Sequence, residues 1–576
     1  MTVTKKLLIA ILVVAALFRV VWLWQGDLTG SDEIFYGFRA IGMLDYDNAP
    51  KQSTPLEWFD PINRANKIIP YPADLPKEGG IPWWTKLSFH DHPPLVFLAQ
   101  NISMGIFGEN KFGFRLPSAV AGVISVYLIY LIGRKLFPAS PAGGSEKAGL
   151  VSAALYAVTV NAVHNARLGI QEPILIALML AAIYFFLLAD QAKKYLLAVG
   201  VLAGLAMLAK YNATVLAPIF LIYILLFRRE WLKEKFLWLG LLLAIIIFSP
   251  VIIYNLNLYL SVGHFDFQLS YLLGQNPEVW QSAPGKEAAG NLLSRLKDFV
   301  PAMAKANSWP FLIISAIGLG WLLWETFRKR STSSAFLLIC VISTAMLIIG
   351  VIGPAPRFLA MLTPFLALIA GKLMTEWPSE SRKASQAALV LILLWEIFYT
   401  INTDILPYPI GAKHFTFSRL RYENYRWGYN ELDNWLAGEL AGKFPAFVLN
   451  QKYQFLDKII DLDLSRAERS GNQPYSALFI YDNNLQDAGK FWSFDRLQVY
   501  HGWPVVKTEG YAELQKFELP QHITYFVTPA EKILVKENSR LTLDGPKFEQ
   551  SLLAKGLLPI VIKNQKGEPA FRIYKF

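Results

Sequence analysis

Eleven apolar runs constrain this chain more than any other feature. They fall near 7–24, 115–137, 148–165, 170–189, 194–210, 212–227, 236–256, 309–327, 333–352, 357–375 and 385–401. A hydrocarbon core is crossed by about 20 apolar residues in a helix. Only a helix or a closed barrel satisfies its own backbone polar groups there. Composition agrees: 54% of the 576 residues are hydrophobic and 17% are charged, against roughly 25% charged in an average soluble domain. That disfavours a cytosolic globular protein and excludes intrinsic disorder, which needs low hydrophobicity and high net charge. The single cysteine, Cys340, lies inside an apolar run, so there is no disulfide framework and no Cys-based metal site.

Net charge is +11. Residues 402–576 hold 22 Lys and Arg against 20 Asp and Glu, so most of the excess sits in the apolar part. It falls in clusters: Lys5/Lys6, Arg134/Lys135/Lys147, Lys193/Lys194, Arg228/Arg229/Lys233/Lys235, Arg328/Lys329/Arg330 and Arg382/Lys383. These occupy every second short loop. With the N-terminus inside, all of them are cytoplasmic. The charge therefore reads as membrane anchoring rather than a nucleic-acid surface. The first run has Arg19, Trp22 and Trp24 where a signal peptide would carry a small-residue cleavage site, and it reads as a retained anchor. Residues 93–108 are short and polar enough, with Gln100, Asn101 and Ser103, to lie at the outer interface.

Three regions are then extracytoplasmic: the loop 25–114, the loop 257–308 and the tail 402–576. The tail has a helix pattern at Glu431–Leu440 and strand-like runs at Ala446–Leu449, Ala477–Tyr481 and Ile523–Val527. It ends in a hairpin pattern, Leu558–Lys563 and Ala570–Tyr574. The expectation is a polytopic α-helical membrane protein of two domains. The first is a transmembrane domain, 1–401, including both outer loops. The second is a soluble α/β domain, 402–576.

Ionisable groups near a membrane boundary are costly and mark sites or pairs. The basic clusters send one set of them outside: Asp32 and Glu33, His90, Asp91 and His92, Arg167 and Glu172, Lys210, His264 and Asp266, and Arg357. Transfer of a sugar from a lipid phosphate to a hydroxyl uses this mixture. A carboxylate takes the acceptor proton, and positive charge receives the departing phosphate. No GxxxxGK[ST] nucleotide loop occurs.

Several stretches carry a resemblance. Gly30-Ser31-Asp32-Glu33 resembles the acidic pair of polyprenyl-phosphate-sugar-dependent glycosyltransferases of the GT-C class. His92-Pro93-Pro94-Leu95 resembles the motif closing their first outer loop. Arg115-Leu116-Pro117-Ser118, followed by Gly122, resembles their second span. Arg167-Leu168-Gly169-Ile170-Gln171-Glu172 resembles their Arg-then-acid turn. Gly204-Leu205-Ala206 with Lys210, and Arg357-Phe358-Leu359 with Pro364, complete the series. The group includes protein O-mannosyltransferases and the aminoarabinose transferase acting on lipid A, and the likeness covers about 1–375.

The resemblance implies a GT-C fold of about eleven transmembrane helices and an inverting transfer from a polyprenyl-phosphate sugar. The acceptor is a hydroxyl or phosphate of a glycolipid, an envelope glycan or a protein. It implies Asp32 as catalytic base, with Glu33 and Glu172 beside it, and a donor phosphate held by Arg167, Lys210, Arg357 and His92. A divalent metal stays open, with His264 and Glu172 as its candidate ligands. Plainer readings stand beside these. Asp32 and Glu33 suit a helix N-terminus, Glu172 suits an ion pair with Arg167, and Lys210 and Arg357 suit headgroups. Trp83, Trp84, Tyr425 and Trp427 are candidates for stacking on sugars. A lipid-linked sugar flippase is the alternative in another class. Such transporters place their charges near the midplane, often in internal repeats, and no repeat is evident here.

Overall fold

The computed structural model describes residues 2–27, 31–46, 54–60, 80–137, 144–275, 277, 279, 291–376, 382–421, 427–530 and 541–576. Two compact units emerge. One comprises Met1–Leu23 with Lys86–Arg421, the other Trp24–Thr85 with Tyr422–Phe576. The sequence-based division drew the line differently, placing all of 25–114 with the transmembrane part.

In the first unit a helix runs through each of the eleven apolar runs. Five helices among the described residues are long and apolar enough to cross a bilayer. They are Lys111–Leu136, Lys235–Val262, Trp309–Arg328, Thr332–Ile352 and Lys383–Ile405. A sixth candidate is a pair, Val160–Arg167 and Glu172–Leu188, bent by 119°. The remaining runs form shorter or broken helices, such as Tyr195–Ala209 and Tyr211–Phe227. Residues 93–108 contain the helix Leu95–Phe107. Its Gln100 is wholly buried.

Small residues set the closest crossings, since apolar tails give helices no hydrophobic reason to associate. A Cβ on Gly200 would stand 1.9 Å from the carbonyl oxygen of Gly240, so helices Tyr195–Ala209 and Lys235–Val262 touch backbone to backbone. A Cβ on Gly122 would meet the Ala166 methyl at 2.7 Å and the Arg19 guanidinium at 2.8 Å. Arg19 is fully buried and donates to the carbonyls of Ala157 (2.8 Å) and Tyr156 (3.3 Å). Those carbonyls lie where the helix Gly144–Val158 breaks at Thr159.

The second unit is built on a five-stranded mixed sheet. Ala477–Tyr481, buried along its whole length, pairs parallel with Val505–Lys507 and with Ile523–Pro529. Ile523–Pro529 pairs antiparallel with Pro569–Lys575, which closes the C-terminal hairpin with Ile560–Lys563. Two expected strands and the hairpin are therefore in place, as is the helix Tyr429–Leu440. Ala446–Leu449 is not a strand. Pairing occurs just before it, where Lys443–Pro445 runs parallel to Gln473–Tyr475, and Pro445 has no amide hydrogen with which to extend a ladder.

Segment 24–85 is stitched to the tail. The Asp27 carboxylate accepts from the amides of Gly428 (2.9 Å) and Asn430 (2.6 Å), at the start of helix Tyr429–Leu440. The Tyr453 hydroxyl donates to Glu57 at 2.9 Å. Helix Ser31–Gly42 lays Phe35 and Phe38 on Phe491, at ring separations of 4.8 and 4.2 Å. The Tyr500 hydroxyl donates to the Phe38 carbonyl at 2.7 Å.

Candidate functional site

The site grows from the turn 168–171. Gln100 donates to the Gly169 carbonyl at 2.9 Å and Ser118 to the Ile170 carbonyl at 2.8 Å. A side chain on Gly169 would strike the Phe114 ring at 2.4 Å. The turn is thus fixed from helices Leu95–Phe107 and Lys111–Leu136, which accounts for Ser118 in the resembled motif. The chain then enters helix Glu172–Leu188, with Pro173 in its first turn, where a missing amide hydrogen costs nothing.

Glu172 is buried, and its Oε1 lies 2.6 Å from the Nζ of Lys210, also buried. Lys210 sits in extended backbone after helix Tyr195–Ala209. Its ammonium is 5.0 Å from the centroid of the Phe358 ring, and the Arg357 guanidinium is 4.8 Å from the same centroid. Glu172, Lys210 and Arg357, which lie far apart in sequence, are therefore neighbours. Among the described residues, Glu172 Oε2 and both side-chain polar atoms of the wholly buried Gln171 have no hydrogen-bond partner. Buried polar atoms without partners are uncommon in native folds and mark places where a ligand or water bonds.

A second group adjoins Lys210 through Tyr211. The Tyr211 hydroxyl donates to Asp266, which also accepts from Asn255 Nδ2 and from the Leu269 amide, each at 2.9 Å. Burial raises the Asp266 carboxyl above its ordinary range, against the opposing pull of these hydrogen bonds. The next residues hold the backbone at His90 and Asp91. The Phe267 amide donates to the His90 carbonyl at 2.9 Å and Gln268 to the Asp91 carbonyl at 2.8 Å. Asp91 sits between two imidazoles, 3.0 Å from His92 and 3.8 Å from His90. His264 is buried, with Nδ1 at 2.7 Å from the Phe265 carbonyl, and burial pushes its imidazole down.

Arg167 has other bonds than the expected pairing with Glu172. Its guanidinium donates to the Phe18 and Val21 carbonyls at 2.9 Å each, capping the end of helix Val3–Val20. Glu172 takes Lys210 instead. Asp32 and Glu33 belong to the second unit, in the first turn of helix Ser31–Gly42, where Glu33 is buried. Gly30 and Tyr425 lie outside the described residues. Trp83 is exposed, while Trp84 is buried edge-on to Phe59. Among the described residues no three His, Cys, Asp or Glu side chains gather as a metal site.

Sequence reasoning missed Gln171, Asn255, Arg295 and the buried pair His164–Asp404, 2.6 Å apart. Arg295 donates to the Gly350 and Val351 carbonyls at 3.0 and 3.1 Å, in the π-helical turn Ile348–Ile352 that precedes Arg357. Such turns favour functional positions, but nothing in an arginine's spacing announces one.

A multi-pass helical unit, a buried acid–cation group at its helix ends and a mixed α/β unit define a class. Over its full length the chain superposes on ArnT from Cupriavidus metallidurans bound to undecaprenyl phosphate, with a TM-score of 0.55, 13% identity and 98% of that chain covered. The chain has the GT-C fold and is a multi-pass membrane protein. Within that class, residues 91–254 match the family described as dolichyl-phosphate-mannose-protein mannosyltransferase. Two Bacillus subtilis (strain 168) proteins with mannosyltransferase names are similar. YkcB is 29% identical over 226 residues, which is 35% of this chain and 30% of YkcB. YycA is 33% identical over 148 residues, which is 25% of this chain and 21% of YycA. The chain thus matches less than a third of the length of either relative.

Proposed function

We propose that the chain is a membrane glycosyltransferase. It moves one sugar from a polyprenyl-phosphate donor to an acceptor hydroxyl on the extracytoplasmic face, with inversion. The observation that carries this reading is the buried Glu172–Lys210 pair with Arg357 on the same Phe358 ring, in a chain of GT-C fold. Asp32 takes the proton of the acceptor hydroxyl. The acceptor oxygen forms the new bond at the anomeric carbon as the bond to the phosphate oxygen breaks. Lys210 and Arg357 receive the charge on the departing phosphate, and a preorganised cation is worth most where water is excluded. Glu172 holds Lys210 in place. Arg167 acts through the first helix that it caps, and His92 and His264 line the outer loops beside Asp91 and Asp266. A glycolipid or envelope glycan ranks above protein as acceptor.

Mass spectrometry of lipid-linked sugars and envelope glycans in a deletion strain tests this. One lipid-linked sugar should accumulate and one decoration should vanish. Unchanged profiles of both would sink the reading. Complementation with Asp32→Asn should leave the accumulation in place.

A further inference from the structure

The second unit contains a cavity that the proposed transfer does not use. Its volume is about 370 Å³, within the range of small-molecule sites. It is walled by helices Tyr429–Leu440, Gln454–Arg469 and Arg496–His501 and by strand Lys443–Pro445. Three of its lining side chains are cationic, Lys443, Arg466 and Arg496, against one carboxylate, Asp463.

The cations are not equivalent. Arg496 is answered by Asp433 at 3.0 Å, and Lys443 lies 3.5 Å from Glu439. Arg466 is exposed and, among the described residues, its side chain has neither an ion pair nor a hydrogen bond. Asp463 and His501 pair at 2.9 Å, and both remain partly open to solvent. Asn472 adds an amide to the lining. Trp503 is buried behind them, edge-on to Phe479.

A carboxylate, an imidazole and an amide lining one cavity suit hydroxyls, which both donate and accept. An unpaired guanidinium suits an oxyanion, which it grips with two parallel hydrogen bonds. We propose that this cavity binds an anionic carbohydrate: a sugar residue bearing a phosphate or carboxylate, with Arg466 on the anion and Asp463, His501 and Asn472 on the hydroxyls. The site is independent of the proposed transfer, because it is defined by binding and not by turnover.

The test is titration of the full chain in nanodiscs, by calorimetry or saturation-transfer NMR. The probes are glucuronic acid, glucose 6-phosphate, methyl glucoside and inorganic phosphate. At least one charged sugar should bind tenfold or more tightly than methyl glucoside and inorganic phosphate. Comparing the two charged sugars identifies the anion. Arg466→Ala, at an exposed position, should weaken that binding at least tenfold, and Ala437→Phe should block the cavity without changing its charge. Failure of both charged sugars to bind would overturn the proposal, as would binding indifferent to Arg466→Ala and Ala437→Phe. Charged-sugar binding lost in Lys210→Met but kept in Arg466→Ala would place it in the first unit and overturn the proposal equally. Binding in a chain that transfers no sugar would uphold this site and defeat only the transfer.

Discussion

Glu172 and Gln171 are adjacent and buried, yet they predict opposite responses to substitution. Glu172→Gln leaves the Lys210 ammonium buried without its counter-charge, and breaking a buried pair costs about 3–5 kcal/mol. The thermal midpoint in detergent should fall sharply. Gln171→Leu removes two polar atoms that have no partner among the described residues, so the midpoint should hold or rise. If those atoms serve the reacting molecule, turnover should drop by roughly 10²-fold, the scale of one lost transition-state hydrogen bond. Unchanged turnover in Gln171→Leu would remove Gln171 from the site. Asp482 gives a pH prediction. Burial raises its carboxyl, while the Asn484 amide and Thr528 hydroxyl pull it down. The folded chain holds this proton more tightly than the unfolded one. Its contribution to stability therefore declines as pH rises from about 4, the unfolded value, to the folded one. Asp482→Asn should flatten that part of the midpoint-versus-pH curve. Charged residues of this kind were legible because apolar runs exclude them. Gln171 and Asn255 were not, because amides are ordinary in any loop. The bonds from Arg167 to the Phe18 and Val21 carbonyls were not legible, because a helix C-terminus and a phosphate attract the same cation.

Helices were easier to foresee than their crossings. Eleven apolar runs announced eleven helical stretches, but a window of hydropathy cannot see that Gly200 meets Gly240. Gly200→Val should drive the two helices apart and cost about 1–3 kcal/mol, the usual range for overpacking. Gly105, with open space around its missing Cβ, is the control, and Gly105→Ala should leave the midpoint unchanged. In the tail the longer strands were readable from β-branched and aromatic residues. Val505–Lys507 and Gln473–Tyr475 have three residues each, too few to show a period. The role of Asp27 was hidden because its partners lie about 400 positions away. Asp27→Ala removes an acceptor from the start of helix Tyr429–Leu440 and should cost about 0.5–2 kcal/mol. Hydrogen exchange at Gly428 and Asn430 would measure the loss.

At the scale of the molecule, sidedness is the reading most open to attack. Alternating basic clusters were legible because short loops carry them. The number of crossings was less so, because helices such as Tyr195–Ala209 are short and others bend at polar turns. Cys340 is the sole cysteine and is buried, so a thiol introduced at an exposed tail position such as Ser470 reports with little background. An impermeant maleimide should label Ser470→Cys in intact cells. Labelling only after lysis would overturn the extracytoplasmic assignment of the tail.

The stitching of residues 24–85 to residues 422–576 also imposes an order on biogenesis. The helix carrying Asp32 leaves the ribosome long before Phe491 and Tyr500, on which it rests. At roughly 5–20 residues per second, that helix waits for tens of seconds without its partners. A nascent chain halted before the tail would hold every apolar run and still lack the bed on which its acidic helix lies.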